Sequence, residues 1–276
     1  MKKSTKLAIG LGIAAVAIPT ALLAPGHASR TKKAPFRGKN FAHRGLHTED
    51  KVIPENSLPA FERAAHAGYG IELDVRLTKD GQVVVFHDDT LDRVCGVNAR
   101  VDELTYGDLI ELRLCGTDER IPLLSDVLET VNGRAPLMVE LKGSKRCGDL
   151  CRKTAALLAE YRGPVCVGSF DPFALAWFRF HAPKYLRGQL AAPREEYGDR
   201  PGILAFLLSH TLLNMVSRPQ FIAYKIGPKP LTVKFAELLG KVTGCMKVAW
   251  TSHNVINEKG KDAVIFEFYR PLPFFH

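Results

Sequence analysis

From residue 36 onwards, the chain alternates short apolar runs with longer amphipathic stretches. Runs of this kind are typical of buried strands separated by helices. We predict nine strands, at Phe41–Arg44, Gly70–Leu77, Val83–His87, Leu137–Lys142, Val165–Phe170, Leu186–Leu190, Phe221–Ile226, Lys247–Trp250 and Val264–Phe268. The intervening pattern predicts helices at Leu58–Ala67, Leu123–Val131, Asp149–Tyr161, Pro172–Phe180 and Val233–Leu239.

Strand–helix alternation of this length favours parallel strands that are covered by helices. Nine candidate strands suit the eight places of a TIM-type (β/α)8 barrel, with one strand left as an extra or a hairpin partner. The 276 residues are enough for one such barrel of about 250 residues. A doubly wound open sheet is the alternative, but no GxGxxG turn follows the first strand.

An apolar segment precedes this region. Leu7–Ala24 contains no charged residue, and three lysines lie before it. Eighteen residues are just enough to span a bilayer at about 1.5 Å per residue, and a secretory signal peptide has the same plan. We therefore expect a hydrophobic helix that is an uncleaved membrane anchor, a cleaved signal or a buried helix of the domain. This divides the chain into residues 1–35 and a barrel domain at 36–276.

The net charge of +9 is concentrated at the N-terminus. Residues 1–40 hold eight Lys or Arg and no acidic residue, so the other 236 residues carry about +1. This distribution indicates targeting or contact with membrane phosphates, and no nucleic-acid partner is expected. Five positive charges follow the apolar run, which favours an intracellular domain, whereas the signal-like start favours the outside. The expected location is thus membrane-anchored or secreted, with the side open.

Two other features leave alternatives open. The six cysteines are too few for a disulfide scaffold, and Cys95 with Cys115 is the pair to test for a bridge. Gly202–Val216 is apolar on most faces. It is either a well-buried helix or an apolar flap near a lipid-like substrate or a bilayer.

The first candidate chemistry lies on two predicted strands. Glu72 and Asp74 project to one face because side chains at i and i+2 share a face of a strand. Two adjacent carboxylates in an apolar strand are costly to bury, and a hard cation such as Mg²⁺ or Ca²⁺ removes that cost. Glu140 and Lys142 share a face of a later strand. Together the four residues predict a site for a metal ion and a phosphate.

Two histidines and an arginine lie at strand ends in the same half of the chain. His43 and His87 are candidates for a general base and a general acid. Arg44 has the planar guanidinium that binds phosphate oxygens in a bidentate manner. The following Pro54–Ser57 stretch predicts a loop in which Asn56 or Ser57 caps a helix.

Taken together, these motifs resemble the glycerophosphodiester phosphodiesterase family, which belongs to the phosphatidylinositol phospholipase C-like phosphodiesterases. The resemblance runs from about residue 41 to the C-terminus and is strongest before residue 145. The motifs that carry it are HRG (43–45), PENS (54–57), ELDVRLTKDG (72–81), VVVFHDDTLDR (83–93), VELK (139–142), SF (169–170) and AWT (249–251).

The resemblance implies a metal-dependent TIM-type barrel of phospholipid and glycerol metabolism. It would hydrolyse glycerophosphodiesters to sn-glycerol 3-phosphate and an alcohol, using one Mg²⁺ or Ca²⁺ ion. The implied positions include catalytic histidines, phosphate-binding cations and metal carboxylates. They are His43 and His87, Arg44 and Lys142, and Glu72, Asp74 and Glu140.

The chain departs from the family pattern near its end. The family's Trp-Thr-Val-Asn reads Trp250–Asn254 here, and Phe266–Pro271 replaces its closing Thr-Asp-x-Pro. These changes leave open which alcohol is accepted. One alternative is the same chemistry on lysophospholipids or a membrane-anchored polyol-phosphate polymer. Another is a non-catalytic, membrane-tethered binding protein.

Overall fold

The computed structural model describes residues 20–198 and 200–276. Eight parallel strands close into a barrel, since the first strand pairs with both the second and the last. The strands in chain order are β1 (Lys39–Ala42), β2 (Gly70–Leu77), β3 (Val83–Val85), β4 (Leu137–Leu141), β5 (Val165–Ser169), β6 (Leu186–Ala191), β7 (Phe221–Lys225), β8 (Met246–Ser252) and β9 (Ala263–Phe266).

The predicted TIM-type barrel is therefore confirmed, and so are all nine predicted strands. The strand outside the barrel is β3, which forms an antiparallel hairpin with the end of β2, with Val75 opposite Val85. The open-sheet alternative fails because β1 and β2 pair through Phe41 and Gly70. That pairing closes the ring.

Helices cover the outside of the barrel. Ser57 begins one of them by accepting a hydrogen bond from the amide of Ala60 at 3.4 Å. Gly244, at φ 75°, ends another. In chain order the helices are α1 (Arg30–Lys33), α2 (Leu58–His66), α3 (Asp92–Cys95), α4 (Tyr106–Leu109), α5 (Leu124–Val131), α6 (Cys147–Glu160), α7 (Pro172–His181), α8 (Gly202–Ser209), α9 (Asn214–Ser217) and α10 (Leu231–Thr243).

Alternation along β2 separates the core from the barrel interior. Ile71, Leu73 and Val75 are buried in one cluster with apolar residues of α2 and α5. Their neighbours Glu72 and Asp74 therefore point the other way, into the barrel. The strand thus contributes to the hydrophobic core with one face and presents two carboxylates with the other.

The segment that leads into β1 packs against the barrel. Residues 20–23 are helical, and Leu23 is buried with Ile222 and Ala236. Most of the predicted Leu7–Ala24 helix, residues 7–19, lies outside the described residues. Among the residues that are described, no helix is both long and apolar enough to cross a bilayer. The division at residues 35 and 36 stays a prediction.

The two open features are resolved only in part. Gly202–Val216 covers α8 and part of α9. Ala205 and Leu208 are buried, whereas Ile203 is 75% and Phe206 42% exposed. The segment is therefore buried on one side only, not on all faces. All six cysteines are free thiols, so the considered bridge between Cys95 and Cys115 is not formed.

Candidate active site

A cavity of about 1010 Å³ opens at the carboxyl ends of the barrel strands. Six of the seven predicted site residues line it: His43, Arg44, Glu72, His87, Glu140 and Lys142. The seventh residue, Asp74, is buried beside Lys142. The Nζ of Lys142 lies 3.3 Å from the Oδ1 of Asp74. The structure thus brings all seven predicted residues together, which a parallel barrel achieves because its strand ends meet at one edge.

Three carboxylates form a buried cluster at the base of this cavity. Glu72 and Asp74 lie on β2, and Glu140 lies opposite Asp74 on β4. One oxygen of each is within 4.8 Å of the others, and no residue of the three is more than 7% exposed. Burial, together with repulsion from the other two carboxylates, raises the pKa of Glu72 well above its ordinary value. The oxygen-only donors and the unbalanced charge both fit a hard divalent cation, which this cluster could hold.

Two cations already balance part of this charge. Lys142 Nζ lies 2.7 Å from Glu140 Oε1, and Arg44 Nε lies 3.6 Å from Asp74 Oδ2. Burial opposes ionisation of Lys142 and Asp74. The surrounding opposite charges outweigh it, so the pKa of Lys142 is raised and that of Asp74 is lowered. The unbalanced carboxylate is Glu72.

The turn after β1 places both a backbone donor and a side chain. Arg44 has the left-handed φ of 53°, and its amide donates to Glu72 Oε2 at 3.0 Å. Gly45 follows at φ 79°, where an added Cβ would lie 2.8 Å from the Cβ of Ala60. Only glycine fits such a position without strain. Gly45 therefore lets the backbone turn beside the site.

Each of the two histidines has an acidic partner. His43 Nδ1 hydrogen bonds to Glu267 Oε2, and His87 Nδ1 to Asp88 Oδ1 at 2.5 Å. In both rings Nε2 is therefore the nitrogen left for a substrate. Burial lowers the pKa of His43, although the Glu267 carboxylate partly opposes this. Burial thus favours the neutral form of His43, which can accept a proton.

An arginine connects the His87 side of the site to the Arg44 side. Arg93 donates to Asp88 Oδ2 at 2.6 Å and to both oxygens of Glu55 at 2.6 and 2.8 Å. Glu55 in turn accepts from Arg44 at 2.7 Å. Burial would raise the pKa of Glu55, but the two guanidinium groups hold it at about 2. We call this connection the Arg93 bridge.

Sequence reasoning missed several of these partners. Asp88 and Arg93 lie in the VVVFHDDTLDR motif (83–93), in which the sequence predicts a role for His87 only. Asn56 does not cap the helix, which Ser57 does; its Nδ2 instead donates to Asp74 Oδ2 at 3.0 Å. Glu267 lies in the stretch that departs from the family pattern, and only the barrel closure brings it to His43.

Comparison with known proteins agrees with this geometry. Residues 43–259 match the model of the glycerophosphoryl diester phosphodiesterase family. A glycerophosphodiester phosphodiesterase of Bacillus altitudinis is 44% identical over 115 residues, which cover 38% of this chain and 46% of that protein. A lysophospholipase D of Homo sapiens is 36% identical over 143 residues, covering 47% of this chain and 44% of that protein. The chain thus spans about half the length of these curated relatives.

A solved structure shows the same fold. It is a phosphodiesterase of Oleispira antarctica in complex with the product sn-glycerol-3-phosphate. The TM-score is 0.66 at 23% identity, and the match covers 83% of this chain and 93% of that one. The family match covers most of the chain, and its range contains all seven predicted site residues. The chain therefore belongs to the glycerophosphoryl diester phosphodiesterase family.

Proposed function

We propose that this protein hydrolyses glycerophosphodiesters to sn-glycerol 3-phosphate and an alcohol, with Glu72, Asp74 and Glu140 holding one Mg²⁺ or Ca²⁺ ion. The observation that carries the proposal is the buried carboxylate cluster in one cavity with two cations and two histidines. Names of relatives add support. The Bacillus altitudinis relative is a glycerophosphodiester phosphodiesterase, and the Oleispira antarctica structure contains sn-glycerol-3-phosphate.

The phosphate is held by groups that surround the cluster. A bound divalent cation supplies charge that polarises the phosphoryl oxygens. Arg44 and Lys142 offset negative charge on the non-bridging oxygens. The Nε of Arg44 is buried, 3.6 Å from Asp74 Oδ2, and has no hydrogen-bond partner among the described residues, so the guanidinium keeps an unused donor beside the cluster.

The histidines move the protons. His43 is kept neutral by burial and accepts the proton of the attacking hydroxyl or water at Nε2. His87, oriented by Asp88, donates a proton to the oxygen of the departing alcohol. Water attacks phosphorus, the P–O bond to the alcohol breaks, and the two proton transfers leave the charges balanced.

The test is release of glycerol 3-phosphate from glycerophosphocholine and glycerophosphoethanolamine, with and without a chelator. We expect chelation to abolish turnover and added Mg²⁺ or Ca²⁺ to restore it. His87→Ala should lower kcat by about 10²- to 10⁴-fold, the usual contribution of acid–base catalysis. Activity that is indifferent to chelation, or retained in His87→Ala, refutes these assignments. A bound cation without turnover of any diester favours a binding protein.

A second candidate substrate is a lysophospholipid or a polyol-phosphate polymer, with the same chemistry. The segment after β6 supports an amphiphilic substrate. Tyr197 and Arg200 line the cavity, and the adjoining α8 exposes Ile203 and Phe206. The human relative is a lysophospholipase D. Comparing the turnover of micellar lysophosphatidylcholine with that of soluble glycerophosphocholine distinguishes the two substrate classes. The lysolipid should be preferred only if the apolar side chains contact its acyl chain.

We also infer that residues 1–35 attach the protein to a membrane or direct its secretion, leaving 36–276 as the catalytic domain. The support is the basic and apolar plan of the sequence alone. Membrane fractionation of the full chain, with mass determination of its N-terminus, tests this. An intact N-terminus in the membrane fraction supports an anchor, and loss of the segment supports a signal. A full-length protein in the soluble fraction contradicts both.

A further inference from the structure

A second, smaller cavity is also lined by His43. Its volume is about 260 Å³, and His43, His47, Glu267, Phe268 and Cys115 are among its lining residues. His43 and Glu267 line the large cavity too, so the two spaces share a wall. The proposed reaction uses His43, but it gives no role to His47.

His47 is a buried side chain in need of a partner. It is 10% exposed, and its Nε2 is buried without a hydrogen-bond partner among the described residues. This nitrogen points to Glu267, whose Oε2 is 3.9 Å away, beyond hydrogen-bond distance. The ring of Phe268 packs edge-on against the imidazole at 5.0 Å and fixes its orientation. A buried nitrogen without a partner is costly, which indicates that something else engages it.

The surrounding donors have the composition of a transition-metal site. One donor atom each from His43, His47 and Glu267 lies within 4.8 Å of the other two. Two imidazoles and a carboxylate are a common donor set for Zn²⁺, at about 2.0–2.2 Å from the metal. The oxygen-only cluster of β2 and β4 suits harder cations instead.

We propose that His43, His47 and Glu267 form a second cation site that takes zinc in preference to Mg²⁺ or Ca²⁺ and that zinc there inhibits the enzyme. Zinc binds the lone pair of His43 Nδ1, so the single proton of the neutral ring leaves Nδ1 and is taken up at Nε2. The ring is then fixed on the cation, and Nε2 already carries a proton and cannot accept another. The inhibition rests on the proposed function of His43, whereas zinc binding itself does not.

Calorimetric titration of the full chain with Zn²⁺, in saturating Mg²⁺, tests the binding. The visible absorption of Co²⁺ gives a second readout that does not need turnover. The variant is His47→Gln, and the matched control is His66→Gln, which changes an exposed histidine of α2. We expect His47→Gln to weaken zinc binding by at least about 10- to 100-fold, the loss that even outer partners of a metal site cause. His66→Gln should bind as the wild type does.

Only the difference in zinc affinity between the variants is interpreted, because free thiols elsewhere in the protein also bind zinc. Thermal denaturation shows that each variant is folded. Inhibition by zinc, measured against each variant's own zinc-free rate, should weaken in parallel with binding in His47→Gln. Equal zinc affinity in the three proteins overturns the site, and so does inhibition that extra Mg²⁺ fully reverses. Zinc binding that depends on His47 in a protein without diesterase activity refutes the proposed function alone.

Discussion

Removing the Glu267 carboxylate tests how His43 is held. Glu267 accepts the Nδ1 proton of His43 and so fixes the nitrogen that faces the substrate. Both side chains are less than one-fifth exposed, so solvent screens the contact little. A hydrogen bond to a charged group contributes about 1.5–3 kcal/mol. At about 1.4 kcal/mol per factor of ten, Glu267→Gln should lower kcat by roughly 10- to 150-fold.

The assay is steady-state turnover of glycerophosphocholine in zinc-free buffer, across a pH series. The loss should appear in kcat with little change in KM, because the contact orients a base and does not bind substrate. Glu267 raises the pKa of His43 against the effect of burial, so its removal lowers that pKa further. The acid limb of kcat/KM therefore moves to lower pH. Glu129→Gln, an exposed change of the same kind on α5, is the control.

Two results would refute this reasoning. A wild-type kcat in Glu267→Gln would show that His43 needs no partner, and a loss confined to KM would place Glu267 in substrate binding. Glu267→Asp adds a further comparison, since it keeps the charge but retracts the oxygen by one methylene. An activity between those of the wild type and Glu267→Gln is expected.

Three further changes test the rest of the site. Gly45→Ala should lower Tm by more than Gly260→Ala does, because both glycines have positive φ but of the two only Gly45 lacks room for a Cβ. Differential scanning calorimetry measures the two Tm values, and equal losses would refute the steric argument. Glu72→Gln should raise the Tm of the metal-free protein, by about 2–4 °C for each kcal/mol gained in the free energy of unfolding. The reason is that the raised pKa of Glu72 makes its buried charge unfavourable at any pH above the ordinary glutamate pKa. The same variant should lose the stabilisation that Mg²⁺ gives the wild type. Arg93→Met should lower kcat/KM by about tenfold through loss of the Arg93 bridge, while the surface change Arg152→Met should not alter it.

The strands and the seven predicted site residues were readable from the sequence because each depends on local periodicity. Glu72 and Asp74 share a face whatever the barrel closure is, and strand-end histidines of a parallel barrel meet at one edge. The residues that contact these side chains could not be predicted in the same way, because their contacts depend on distant parts of the chain. Glu267 lies 224 positions from His43 along the chain, and only the pairing of β1 with β9 brings them together.

The sequence leaves Asn56 and Ser57 as alternative caps of α2, and the structure selects Ser57. Asn and Ser are both good caps, so adjacent candidates are equivalent by propensity. The backbone decides between them, because Asn56 takes the left-handed φ of 55° and Ser57 the extended conformation of a cap. Asn56 is thereby turned inward to Asp74, where an amide can stabilise a buried carboxylate.

Under the proposed function, the charges that contact the carboxylate cluster would favour a singly charged diester as substrate. Three carboxylates face Lys142 and Arg44, so one negative charge is unbalanced when all three are ionised. The raised pKa of Glu72 shows that this charge is least stable on Glu72. A divalent cation held there would turn the excess into one net positive charge, which a phosphodiester anion would neutralise. Hydrolysis converts that anion into a phosphomonoester with nearly two negative charges. In the proposed reaction the product would thus carry more negative charge than the site can neutralise, and the charge balance that would favour substrate binding would also favour release of glycerol 3-phosphate once the bond has broken.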